Sequence, residues 1–88
     1  MNEKETEKIL KALANKRRTT IVKLLMKRKR ASVGSLASGI KLSFNATSKH
    51  LKILFTANIL DREQEGLEMY YRISEDIPNF ANIIISSL

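Results

Sequence analysis

Between Lys8 and Leu60 the chain carries 13 lysines and arginines and not one aspartate or glutamate. Self-repulsion in such a stretch opposes compaction, and an ordinary solvated surface interleaves both signs. The nine acids lie outside it: Glu3, Glu5 and Glu7 before, and Asp61, Glu63, Glu65, Glu68, Glu75 and Asp76 after. A low-GC, lysine-rich composition is the bland reading of this segregation. The sharper reading is a surface for a polyanion, nucleic acid first.

The other bounds are quickly set. Eighty-eight residues suffice for one domain, so residues 1–88 are read as a single unit. A core of that size is modest, and pairing with a second copy would enlarge it. There is no cysteine and only one histidine, His50, so no metal site can be built from thiolates or from several imidazoles. No apolar run reaches membrane-spanning length, and the start, MNEKETEKIL, has no signal-peptide core. A cytoplasmic location is expected. No cofactor motif is visible, and no nucleophile–base pair points to an enzyme.

Hydrophobic spacing predicts helices over most of the chain. The first runs from Glu3 to Leu13, with acids in its first turn, where the helix dipole favours them. Asn15 caps a second helix reaching about Lys27, with Ile21, Val22, Leu24 and Leu25 as its apolar positions. Lys16, Arg17 and Arg18 occupy its first turn, where the dipole disfavours cations. That points to compensation from outside the chain. Lys27 to Arg30 read as an exposed link.

Ser32 caps a short third helix, Val33 to Gly39, and a turn spans Gly39 to Leu42. Ser43 then caps a fourth helix, LSFNATSKHLKIL, reaching about Ala57. On its wheel Thr47, Leu51 and Leu54 form one side, flanked by Ala46, His50 and Ile53. Asn45, Ser48, Lys49, Lys52 and Thr56 fall opposite. Two short alternating stretches around Glu65–Gly66, between Ile59 and Ile73, predict a hairpin. Asp76 and Pro78 begin a last helix with Phe80, Ile83, Ile84 and Leu88 apolar. The fold class is mainly α with a small β-hairpin, in the order helix, helix, helix, helix, hairpin, helix.

A short helix, a tight turn and a longer helix with a polar outer face describe a helix-turn-helix, and the hairpin adds a wing. In that arrangement the N-terminal residues of the second helix meet base edges in the major groove. Asn45 suits adenine, Lys49 guanine, and Ser48 either a base edge or phosphate. Lys52, a turn later, suits phosphate. Phe44 either packs on Leu42 or meets a thymine methyl.

Three stretches resemble the ArsR-type winged-helix transcriptional regulators: LANKRRTTIVKLL (13–25), LSFNATSKHLKIL (42–54) and EGLEMYYRI (65–73). The resemblance covers nearly the whole chain. It implies a winged helix-turn-helix that binds double-stranded DNA as a homodimer and represses a promoter until an effector, here unknown, intervenes. The DNA-binding set it implies is Arg18, Ser43, Phe44, Asn45, Thr47, Ser48, Lys49, His50, Lys52 and Arg62. The dimer set is Ile9, Leu10, Leu13, Phe80, Ile83, Ile84 and Leu88, from the first and last helices. The same apolar residues could instead complete an intrachain core.

Departures from the family pattern carry expectations too. With no cysteine in the third helix and no histidine in the last, no metal sensing is inferred. The wing is acidic where many members are basic, so it would stand off DNA or meet a basic partner. Lys41 sits where glycine is usual, so the turn is expected to take another shape, using Gly39. Two rival functions remain: a winged helix for protein–protein contact, and a nonspecific, chromatin-like DNA binder.

Overall fold

Side-chain caps start four of the five helices in the computed structural model, which describes residues 2–88. In α1 (Glu3–Leu13) the Asn2 side chain accepts from the Glu5 amide at 2.9 Å. In α2 (Lys16–Arg28) Asn15 accepts from Arg18 at 3.1 Å. Ser32 accepts from Ser35 to begin α3 (Val33–Ile40), and Ser43 from Ala46 to begin α4 (Phe44–Thr56). Each cap satisfies an amide that the first turn leaves open, worth about 1 kcal/mol. The last helix, α5 (Asn79–Ser86), follows Pro78 and has no side-chain cap.

The predicted hairpin forms from β2 (Leu60–Glu65) and β3 (Glu68–Ile73), in register from Leu60↔Ile73 to Glu65↔Glu68. Gly66 opens its two-residue loop at φ 61°, a conformation that glycine adopts without strain. The sequence reading missed a third strand. β1 (Ala31–Ser32) pairs with Tyr71 and Tyr70, so the sheet order is β1-β3-β2. Two residues offer no alternation to detect, and Ser32 showed in the pattern only as the cap of the third helix.

Helices α2, α3 and α4 close around a core in which Ile21, Leu25, Leu36, Leu51, Leu54, Ile59 and Leu60 are fully buried. The helix ends explain how the chain turns so sharply. Asn58 takes φ 63° after α4, and the Ile59 amide donates back to the Leu54 carbonyl. Lys41 does the same after α3, at φ 57° and ψ 47°, with Leu42 N–H donating to Ala37 O. Both follow the left-handed closure pattern of helix C-termini. This corrects the expected shape of the turn: Lys41 accepts the left-handed geometry at roughly 1 kcal/mol. Gly39 instead lies within α3, where a Cβ would come 3.1 Å from Leu24 Cδ1, so its bareness lets α3 approach α2.

One buried polar atom in α4 has no partner among the described residues: Thr47 Oγ1. An unsatisfied buried hydroxyl costs about 1–3 kcal/mol. Thr47→Val, of similar shape, is therefore expected to raise the unfolding free energy by about 1 kcal/mol in urea titration. A variant less stable than the parent would show that the hydroxyl has a partner.

Candidate nucleic-acid interface

Helix α4 stands on the short arm formed by α3 and the Lys41 turn. Leu51 and Leu54 bury its inner side completely. Asn45, Lys49 and Lys52 are exposed, at a spacing of four and then three residues, so they share one outer face. Ser48 is half-buried beside them, and Phe44 stands out at the N-terminus, 58% exposed. Ser43 is exposed, but its hydroxyl already serves as the cap. No acid occurs on this helix.

Thr47 has to be removed from the contact set. It is 0% exposed and faces the core with Leu51 and Leu54, so no groove can reach it. Ile9 and Leu13, assigned to a dimer surface from sequence, also belong to the chain's own core, at 4% and 7% exposure. Leu10, Ile83 and Leu88 remain exposed, and Phe80 and Ile84 are half-buried. The inward residues of α5 are Ala81 and Ile85.

Arg18 is occupied within the chain. Its Nε donates to Ala12 O at 2.6 Å and its Nη2 to Lys11 O at 3.3 Å, both near the C-terminus of α1. Its Nη1 lies 3.3 Å from His50 Nδ1. A guanidinium can only donate, so Nδ1 accepts and the ring is neutral with its proton on Nε2. Arg17 reaches the last carbonyl of α3, Ile40 O, at 3.4 Å. Cations that sit badly on their own helix's N-terminus thus rest against the negative ends of two others. For Arg17 and Arg18 the compensation expected from outside the chain comes from inside it, while Lys16 stays exposed.

Burial lowers the His50 pKa, and the Arg18 and Arg17 charges add to that. A depressed histidine binds its proton more readily when unfolded. Stability is therefore fully present at neutral pH and falls as pH drops below about 6.5, the unfolded value.

The wing is fastened at both edges. On β2, Arg62 lies over the Phe55 ring at 4.0 Å and donates to the Tyr71 hydroxyl at 3.4 Å. Arg30, read from sequence as part of an exposed link, is exposed but pairs with Glu65 and sits 4.0 Å from Glu63. It also stacks over Tyr70 at 4.0 Å. Tyr70 donates in turn to Glu68 at 3.0 Å, which holds its hydroxyl above the usual pKa. The acids of the wing are thus partly answered by Arg30 rather than bare.

A capped helix-turn-helix with a three-stranded wing, a carboxylate-free outer helix and a basic flank define a winged helix-turn-helix DNA-binding regulator. Residues 15–62 match the family of bacterial regulatory proteins called the arsR family, and the chain belongs to it. It is 36% identical over 81 residues to the transcriptional activator HlyU of Vibrio cholerae, covering 84% of this chain and 74% of that one. It is 33% identical over 73 residues to the arsenical resistance operon repressor of Bacillus subtilis, covering 83% and 70%. The solved structure of reduced HlyU superposes with a TM-score of 0.83 at 31% identity, over 99% of this chain and 87% of that one. A homodimeric winged helix-turn-helix DNA-binding domain from Mycobacterium bovis, a possible ArsR-family regulator, gives 0.81 at 25% identity, over 96% and 74%. The chain is accordingly a DNA-binding transcriptional regulator.

Proposed function

We propose that residues 1–88 act as one unit, a homodimeric repressor without enzymatic activity that works in the cytoplasm and reads an inverted repeat in double-stranded DNA. The observation that carries this is the exposed row Asn45, Lys49 and Lys52 on an acid-free helix whose other side is buried. In the major groove Asn45 and Lys49 read base edges, Ser48 assists, and Phe44 meets a thymine methyl. Lys52 and the Ser43 end of the helix meet phosphate. Arg18 and His50 hold α4 to α1, Arg62 holds the wing to Phe55 of α4, and all three are assigned to the DNA backbone rather than to bases.

Dimerisation is supported by the apolar residues of α1, of α5 and just after its cap that stay outside the core: Leu10, Ile83 and Leu88, with Phe80 and Ile84 at their margin. The Mycobacterium bovis relative is homodimeric. Relatives include both an activator and a repressor. Repression is the simpler outcome, because a bound dimer excludes polymerase without any dedicated contact.

Selection of bound duplexes from a random pool tests the reading, and an enriched inverted repeat is expected. Enrichment of nothing would leave the nonspecific binder or the protein-contact module in its place, since fold alone does not fix function. Lys52→Ala is expected to weaken operator and random duplex alike, and to lower the salt slope by roughly one unit per subunit. A loss confined to the operator would make Lys52 a base reader.

A further inference from the structure

Helices α1 and α4 leave between them a groove of about 360 Å³, within the range of small-ligand sites. Ala12, Ile53 and Thr56, with the carbon stems of Lys8, Lys11, Arg18 and Lys52, give it an almost wholly apolar surface, and the heads of those four side chains carry its charge. No carboxylate lines it. Lys11 has an i,i+4 pairing with Glu7 at 3.7 Å, but both side chains are solvated, so little charge is lost there. Ile53 is the telling residue. The wheel placed it beside the core, yet it is 44% exposed, while Leu51 and Leu54 on the same helix are fully buried.

A track for DNA phosphates has no use for an isoleucine floor, and an apolar protein contact has no use for four cations. A molecule that uses both has an apolar body and an anionic head. We propose that this groove binds an amphipathic organic carboxylate, with its body on Ala12 and Ile53 and its head among Lys8, Lys11 and Lys52. The surface assigned to the dimer leaves the groove open: at about 100° per residue, Leu10 lies roughly 200° around α1 from Lys8. Lys52 belongs to the groove and to the DNA face. A bound carboxylate therefore neutralises a phosphate contact and places a repelling charge beside it, so ligand and DNA compete. That competition rests on the DNA reading above; the binding itself does not.

The test uses the full chain without DNA. Sodium octanoate and 2-naphthoate, below micelle-forming concentration, are titrated while the amide resonances of Ala12, Ile53 and Thr56 are followed, with 1-octanol as the uncharged control. Saturable shifts at a single site are expected with at least one carboxylate, with octanol weaker by about tenfold or more. Ile53→Gln and Lys8→Gln, both at exposed positions, are each expected to weaken binding by a similar factor, and Lys23→Gln on α2 to leave it unchanged. No saturable shift with either carboxylate overturns the site, as does equal binding of octanol or indifference to both groove variants. In a second arm, the carboxylate that binds is added to a chain–duplex mixture. Duplex affinity is expected to fall for the parent and to hold for Ile53→Gln. Ligand binding that leaves the parent's duplex affinity unchanged overturns the competition, and a chain that binds no duplex at all overturns the DNA reading while the groove stands.

Discussion

Asn45→Ala is expected to weaken binding to the selected operator by about 1–3 kcal/mol, and binding to random duplex hardly at all. Lys49→Ala should behave in the same way at its own base position, with some added loss on all DNA from the missing charge. Both residues are exposed on the outer face of α4, so neither substitution disturbs the core, and circular dichroism should match the parent. On the proposed reading two copies of α4 meet a symmetric site, so each substitution acts twice on a dimer, and the measured loss is expected toward the upper end of the range or beyond. Gel-shift titrations against operator and scrambled duplex give the contrast. If both variants keep full operator affinity while folded, the outer face of α4 does not read DNA, and its partner has to be a protein.

Ile83→Glu is expected to turn the dimer into a monomer. Ile83 is 67% exposed in the single chain, so the substitution leaves the core intact. In an isologous interface the same patch meets itself. The variant would therefore bury two carboxylates in apolar surroundings, each costing several kcal/mol if unpaired. Sedimentation at micromolar concentration should give twice the chain mass for the parent and the chain mass for the variant. Affinity for the inverted repeat should fall toward that for an isolated half-site. A variant that sediments like the parent would place the dimer surface elsewhere, or show that none exists.

What the sequence made legible follows the reach of its signals. Short polar caps announce helices because they act within three residues, and Asn15, Ser32 and Ser43 all cap where the pattern put them. Helix α4 was legible for a similar reason: its inner and outer faces differ in chemistry at helical spacing. Ile53 was placed beside the core because a wheel cannot know that α1 stops short of covering it. Thr47 carried a hint that was overruled, since the same wheel had put it with Leu51 and Leu54. β1 and the Arg30–Glu65 pair were invisible because both depend on residues about 35 to 40 positions away. Arg17 and Arg18 are the instructive case. Their position contradicted a local rule, and the tertiary contacts that resolve the contradiction leave no trace in local pattern.

The turn that leads from α2 to the wing gives those arginines a common logic. Lys29 takes φ 70° and ψ −51°, and Arg30 N–H donates to Arg28 O at 2.8 Å, a tight three-residue γ-turn. It swings Arg30 onto Glu65 and Tyr70, while Arg28 reaches Ser35 Oγ at 3.1 Å. The acid-free stretch contains four arginines and nine lysines. Arg17, Arg18, Arg28 and Arg30 are all tied to other elements, and the nine lysines are all exposed. The two cations therefore hold separate offices. Forked, pre-organised guanidinium groups rig the frame, with α2 as its mast and α1, α3 and the wing as its stays, and compact ammonium groups face outward. A polyanion approaching this molecule meets a lysine surface, whose point charges attract any phosphate without dictating its orientation. On the proposed DNA reading, discrimination then falls to the few side chains at the head of α4.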